Sequence, residues 1–427
     1  MTTFVLFLLT LFLMAAGVPI AWSLGVGAFA AILTMGAIPL QIVPQKIYAG
    51  MCSFPLLCIP FFIFAGELMA HGKLTDNLVK FSLLLVGRIR GGLAMASVIA
   101  SMFFGGMSGS AIADISALGP VEIPMMVKSG YDKRFSTALV CAAAIIGPII
   151  PPSIPVVVYA IAVGSSIGAL FLAGVIPGIL LGLFLMLGSF IISVRRKYPK
   201  REEKITLSEF FATLREVIFA LFMPIIIMGG IIGGIFTPTE AAAVAVGYAF
   251  IVTVFIQRTI KISALPAMLI RSGVTTAIVM IIVGTSTLWG WVVAIEQWGD
   301  KLAALLKFAT PVVFLLLTNI FFLILGTFMD NIPALLIFAP TLAPIAVKLG
   351  IHPVHFGAIV VLNTTMGLIT PPLGEVLFVA CPISKLSLEE ISKGIFIFFI
   401  LEVVVLLLVT YIPFTTLWVP RLFGLIQ

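Results

Sequence analysis

The feature that most limits what this chain can fold into is the length of its uncharged apolar runs. No charged side chain occurs from Gly168 to Val194, and none from Val217 to Phe236. A helix crosses the hydrocarbon core of a bilayer with about 20 apolar residues. Several such runs in one chain predict an all-α polytopic membrane protein. The composition agrees: 61% of residues are hydrophobic, 10% are charged, and the mean hydropathy is +1.27. A soluble domain carries roughly a quarter charged residues. Met1-Thr2-Thr3 offers no basic n-region, and the apolar run behind it continues past any cleavage point. It therefore reads as a first span and not as a signal peptide. The net charge of +7 is an orientation signal here, so no nucleic-acid partner is expected. Cys52, Cys58, Cys141 and Cys381 sit singly in apolar sequence, and His71, His352 and His355 lie beside polar or turn residues. No metal spacing or disulfide framework results, and no cofactor is expected.

One stretch is clearly outside the membrane. "RRKYPKREEKITLSEFFATLRE", Arg195 to Glu216, opens with Arg195, Arg196, Lys197, Lys200, Arg201 and Lys204. A short loop this basic belongs in the cytoplasm, here as a linker between two halves. Counting spans outward from it makes the turn near 128–134 cytoplasmic as well. At 237–240, Thr-Pro-Thr-Glu ahead of an alanine-rich run spells a capping box, which gives Glu240 a structural role.

The chain contains a copy of itself. "GPIIPPS", Gly147 to Ser153, is echoed by "GLITPPL", Gly367 to Leu373, at an offset of 220 residues. The same offset carries Gly106 to Gly326, Pro120 to Pro340, Pro124 to Pro344, Lys128 to Lys348, Gly130 to Gly350 and Gly174 to Gly394, with no gap. An odd number of full spans between the copies predicts that they face opposite ways. Inverted-topology repeats of this kind mark secondary carriers. The expected layout is scaffold helices at 1–97, the first repeat at 98–194, the linker at 195–216, further scaffold helices at 217–310, the second repeat at 311–394 and a C-terminal span at 395–427.

Each copy is interrupted twice. A short polar hinge, "GGMSGSA" in the first copy and "GTFMDNIPA" in the second, predicts a re-entrant helical hairpin. A mid-span Pro-Pro pair, Pro151-Pro152 and Pro371-Pro372, predicts a broken transmembrane helix. Unwound backbone at that depth is tolerated only within protein or beside a wet cavity. It offers carbonyls to a hard cation such as Na⁺, and half-helix N-termini to a carboxylate. Ser108, Ser110 and Asn331 at the hinges complete such a site, with Ser153, Thr364, Thr365 and Thr370 across from them. Gly106-Met107-Ser108-Gly109 also spells G-x-S-G, which intramembrane serine proteases show. A protease would need a base beside Ser108, and no histidine falls in mid-span.

"GGMSGSAIADISALGPVEIPMMVKSGYDKRFSTAL", "IIGPIIPPSIPVVVYA", "GGIFTPTEAAAVAVGYA", "GTFMDNIPALLIFAPTLAPIA" and "LITPPLGEVLFVA" together resemble the large membrane subunit of tripartite ATP-independent periplasmic (TRAP) transporters. The resemblance runs from "GVPIAWSLG" to "YIPFTTLWVP", and its order and spacing make it specific. It implies a Na⁺-driven importer of organic acids in the bacterial inner membrane, working by an elevator movement of a transport domain against a scaffold. It also implies two partners, a small four-helix membrane subunit and a periplasmic substrate-binding protein. No small-subunit segment precedes Met1, so that subunit is expected as a separate chain. Carried over by position, one Na⁺ site comprises Gly105, Gly106, Ser108 and Ser110 with Gly147 and Pro151. The other comprises Asp330 and Asn331 with Thr365, Gly367, Thr370 and Pro371. Substrate is expected at Ser108, Ser153, Asn331, Thr364 and Glu375. The last departs from the family, which mostly has uncharged residues there; a carboxylate at 375 would add a cation ligand, accept a proton or repel an anion.

The remaining intramembrane carboxylates are Glu67, Asp114, Glu122 and Glu402. Such groups are costly in lipid and functional by default. Asp330 aligns with Ser110 under the repeat and is read as a site residue. Asp114 and Glu122 are read as capping or packing groups, Glu67 as reaching the interface and Glu402 as facing the partner subunit. Two other functions remain open, a channel and a stand-alone ion-coupled organic-anion carrier without a binding protein. The substrate itself is not legible.

Overall fold

The computed structural model describes residues 2–36, 38–70, 74–199, 206–298, 301, 310–371 and 374–426. His71, Lys200, Arg201, Lys204 and Pro372 lie outside the described residues. The chain is helical, with no strand among the described residues. In order the helices are α1 (Thr2–Ala15), α2 (Ile20–Met35), α3 (Ile42–Met51), α4 (Cys58–Ala70), α5 (Leu74–Val86), α6 (Gly92–Ser108), α7 (Ala111–Lys128), α8 (Lys133–Ala144), α9 (Ile154–Val163) and α10 (Ile167–Arg195). There follow α11 (Leu207–Ile232), α12 (Pro238–Phe250), α13 (Leu265–Ile295), α14 (Pro311–Gly326), α15 (Asn331–Lys348), α16 (Pro353–Gly367), α17 (Glu375–Ser384), α18 (Leu388–Tyr411) and α19 (Phe414–Leu422). Among the described residues, 6 helices are long and apolar enough to cross a membrane, and α3 with Phe54–Ala70 forms a further apolar pair bent by 56°.

Helix boundaries repeat at the same offset as the glycines and prolines. α7 and α15 are both 18 residues long, with Pro120 and Pro124 inside one and Pro340 and Pro344 inside the other. Each is followed by a glycine at positive φ, Gly130 at 88° and Gly350 at 81°, where a β-carbon would be strained. The next helix in each copy starts from a side-chain cap. Asp132 accepts from Phe135 N–H at 2.9 Å, and His352 Nδ1 accepts from Val354 N–H at 3.2 Å. Helix α8 then stops at Ala144 and α9 starts at Ile154; α16 stops at Gly367 and α17 starts at Glu375. The breaks therefore fall where the prolines predict them, and the Pro151–Pro152 peptide is cis.

Small residues bring the helices close, as membrane packing requires in the absence of a hydrophobic drive. Ala241, Ala242, Ala245 and Ala249 form one buried stripe of α12, which packs on α4. The predicted capping box starts that helix: Thr237 N–H donates to Glu240 Oε2 at 2.8 Å and Glu240 N–H to Thr237 Oγ1 at 3.3 Å. Such a cap contributes about 1 kcal/mol. A buried polar chain ties α14, α16 and α18 together. Asn363 Nδ2 donates to Asn319 Oδ1 at 2.9 Å, and Asn319 Nδ2 donates to Thr410 Oγ1 at 2.9 Å.

Glu402 does not face outward to a partner, as the sequence reading had it. It is fully buried, in the middle of the stripe Ile391, Ile395, Phe398, Glu402, Val405 and Val409 that turns α18 toward the rest of the chain. The spacing of three and four places it on the inner face. Phe396, Ile397, Ile400 and Val404 are the exposed ones.

Candidate substrate and cation site

Helices α6 and α7 meet at a tip made of Ser108, Gly109 and Ser110. Gly109 closes α6 at φ 61°, with its N–H on the Gly105 carbonyl at 3.0 Å. A β-carbon there would lie 2.5 Å from the carbonyl oxygen of Pro152, so conformation and close approach both require glycine. Ser110 caps α7, accepting from Ala113 N–H at 3.4 Å. The tip is joined directly to the first break, because Ile154 N–H donates to the Gly109 carbonyl at 3.4 Å. Below it, Gly105 packs on Gly147 so tightly that a β-carbon at 105 would lie 2.5 Å from the Gly147 Cα.

The second tip repeats this arrangement. A β-carbon on Gly326 would lie 2.6 Å from the Cα of Gly367. Asp330 caps α15, accepting from Asn331 N–H at 2.6 Å. The second break is closed on itself by Val376 N–H donating to the Leu368 carbonyl at 3.1 Å. In each copy, then, a glycine pair holds a hairpin arm against a broken helix, and a polar tip sits beside the break.

Between the tips lies a cavity of about 710 Å³, lined by Ser108, Ser110, Asp330, Asn331 and Glu375. These five of the expected residues are brought together. The opposite wall is α4 and α13, with Gly66, Glu67, Thr275 and Val279. The other expected residues do not line the cavity. Ser153 is fully buried, donates to the Pro148 carbonyl and caps α9. Thr364, Thr365 and Thr370 donate to the carbonyls of Val360, Val361 and Met366 at 3.0, 2.7 and 2.9 Å. Hydroxyls in apolar helices commonly bond back to the preceding turn in this way. Gly105, Gly147 and Gly367 serve as close-packing points. Gly106 faces the side chain of Pro224 on α11. Pro151 lies within the first break; Pro371 is exposed at the second.

Two further carboxylates lie beside these tips. Asp114, expected to cap or pack, is fully buried behind the first tip and accepts a hydrogen bond from Ser108 Oγ through Oδ1. Its Oδ2 has no partner among the described residues. That oxygen points at the glycine pair: a β-carbon at Gly147 would lie 2.1 Å from it, and one at Gly105 3.5 Å. A carboxylate oxygen, a hydroxyl and the backbone of a broken helix make an all-oxygen donor set, which suits a hard cation. Glu67, expected at the interface, lines the cavity and pairs with Arg271 Nε at 2.8 Å. The sequence signal for both was a carboxylate inside an apolar run. Glu122, also fully buried, has no hydrogen-bond partner for its carboxyl oxygens among the described residues. Ser108 has a carboxylate for its partner. His355 is engaged with Thr416 Oγ1 at 2.7 Å and His352 with the start of α16, so neither serves Ser108 as a base.

A second crevice, about 540 Å³, lies farther along α13 and is lined by Ser53, Ser286, Thr287, Gln297, Thr341 and Lys348. Thr275 and Val279 on the first cavity, and Val283, Ser286, Gly290 and Val293 on the second, follow one another at helical spacing. One face of α13 therefore borders both spaces.

Residues 7–415 match the family model described as the tripartite ATP-independent periplasmic transporter, DctM component. The chain is 39% identical over 416 residues to the sialic acid TRAP transporter large permease protein SiaM of Vibrio cholerae, covering 96% of each chain. It is 35% identical over 441 residues to the C4-dicarboxylate TRAP transporter large permease protein DctM of Rhodobacter capsulatus, covering 100% of each. It is also 40% identical over 402 residues to the isethionate TRAP transporter permease protein DctMQ of Oleidesulfovibrio alaskensis, with 94% of this chain matched and 63% of that protein's length spanned. The chain belongs to the DctM family of TRAP transporter large permeases and, with it, is a multi-pass protein of the bacterial inner membrane.

Proposed function

We propose that the chain is the membrane permease of a Na⁺-coupled importer of a small organic acid, which receives its cargo from a periplasmic binding protein and works beside a small four-helix membrane subunit. The relatives are named for sialic acid, C4-dicarboxylates and isethionate, all small acids. The observation that carries Na⁺ coupling is Asp114 Oδ2, a buried carboxylate oxygen beside the first break with no hydrogen-bond partner among the described residues. A buried charge with no partner is costly, and a bound cation relieves that cost. A second cation sits at Asp330 and Asn331 beside the second break, in the equivalent position of the other copy. The substrate occupies the cavity between them.

The two copies are inverted repeats, and each contributes a re-entrant hairpin and a broken helix. Together they form the moving part, while α4 and α13 belong to the fixed wall. The face of α13 that borders both spaces supports an elevator-type movement, in which the tips travel from one crevice to the other. A stand-alone carrier would share this geometry; only the relatives' names favour the three-part system.

Thermal unfolding of the purified chain tests the cation sites. Na⁺ raises Tm at constant ionic strength where K⁺ does not, since a ligand bound only by the native state stabilises it. Ser110→Ala weakens the apparent Na⁺ affinity by about tenfold, the value of one hydrogen-bonding ligand. Equal responses to Na⁺ and K⁺ would remove the cation sites from the account.

A further inference from the structure

Three carboxylates face the cavity between the tips. Glu67, Asp330 and Glu375 line it, and among the described residues no lysine, arginine or histidine does. Glu67 is balanced by Arg271 at 2.8 Å. Asp330 accepts from Asn331 N–H and, on the reading above, faces a cation. Glu375 has neither kind of partner. It is the first residue of α17, preceded by Gly374, and no hydrogen bond or ion pair reaches its carboxylate among the described residues. Asp330 lines the same cavity, and like charges within one cavity repel, so a bare carboxylate in the cargo would be repelled as well.

A second, independent group points into the same space. Asn331 is 6% exposed and lines the cavity, yet its side-chain amide makes no hydrogen bond among the described residues. Its amide is therefore available to whatever occupies the cavity. Its N–H group suits a carboxylate or sulfonate, while the Glu375 carboxylate suits a cationic nitrogen.

We propose that the cargo of this cavity is a small acid that also carries an ammonium group. Glu375 pairs with the ammonium, and the Asn331 amide donates to the acidic group. The two oppositely charged ends of such a zwitterion fit a cavity that is lined by the Glu375 carboxylate and the Asn331 amide. The proposal rests on the reading of this cavity as the substrate site of a Na⁺-coupled importer.

Matched probes test it on the purified full-length chain in NaCl. Succinate is compared with L-aspartate, glutarate with L-glutamate, and isethionate with taurine, each scored by the concentration that raises Tm. At least one amino member should act at a concentration about tenfold lower than its partner, the value of a charge-assisted hydrogen bond. Glu375→Gln should erase that preference, and Glu375→Asp should keep part of it. Monodisperse elution and a cooperative melt show that each variant is folded. The proposal is overturned if no amino member acts, if each pair acts equally, or if folded Glu375→Gln keeps the preference. The Na⁺-against-K⁺ comparison on the unsubstituted chain reads the site itself. Na⁺ stabilisation without any amino preference overturns this proposal alone, whereas no Na⁺ stabilisation overturns the site reading beneath it.

Discussion

Asp114→Asn should abolish Na⁺-coupled uptake while leaving the Na⁺-free protein at least as stable as before. The two readouts separate because of what surrounds the side chain. Asp114 is fully buried, Ser108 donates to one oxygen, and the other oxygen has no partner among the described residues. If a cation completes that site, the amide keeps the shape and loses the charge. Losing a charged ligand costs roughly 3 kcal/mol, or about a hundredfold in Na⁺ affinity, which leaves the site empty at ordinary sodium. Without Na⁺ the same change removes an unpaired buried charge, which is neutral or stabilising for the fold. A packing role for Asp114 predicts the reverse, with a lower Tm and Na⁺ affinity unchanged. Titrating Tm and uptake against Na⁺ in the same preparation distinguishes the two.

Gly326→Ala should abolish uptake and lower stability, and Gly105→Ala should do the same. The new carbon would lie 2.6 Å from the Gly367 Cα in the first case and 2.5 Å from the Gly147 Cα in the second. Both neighbours are backbone and cannot rotate away. Overpacking of this kind costs about 1–3 kcal/mol, and here the strain falls on the contact that seats a tip against its break. Uptake should be lost and Tm lowered in both variants. Gly273→Ala on α13 is the control, because nothing lies within 4 Å of a β-carbon there. Alanine in that open helical position should be neutral or slightly stabilising. Equal behaviour of Gly273→Ala and Gly326→Ala would mean that the glycine pairs are not close-packing points.

The parts of this fold that depend on local backbone chemistry were legible in the sequence. Pro151 and the prolines around it predicted the first break, and Thr237 with Glu240 predicted a capping box that forms. The punctuation shared by Gly130 and Gly350, and by the paired prolines of α7 and α15, gave the internal repeat of helix boundaries. Of the five residues that line the cavity, Ser108, Ser110, Asp330 and Asn331 were named from their position at the hinges, and Glu375 from its place after the second Pro-Pro pair. What was not legible depends on contacts between distant segments. The Glu67–Arg271 pair spans 204 positions, and no periodicity connects them. The link from Asp114 to the Gly105–Gly147 pair requires knowing that the first tip folds back on the first break. Thr364 and Thr365 look like site hydroxyls in sequence, but a threonine's own helix competes for its hydroxyl, and here it wins. For Glu402, the α18 stripe held the signal, since its spacing from Phe398 and Val405 already pointed inward.

Uptake into proteoliposomes holding the chain with a TRAP small membrane subunit, supplied with a TRAP substrate-binding protein, tests the central claim most directly. An inward Na⁺ gradient should drive accumulation of the bound acid above its outside concentration. Replacing external Na⁺ with K⁺ should stop it, and so should Asp114→Asn. Accumulation that continues unchanged in K⁺, or flux that only equilibrates the acid and never saturates, would contradict a Na⁺-coupled carrier and return the chain to the channel reading.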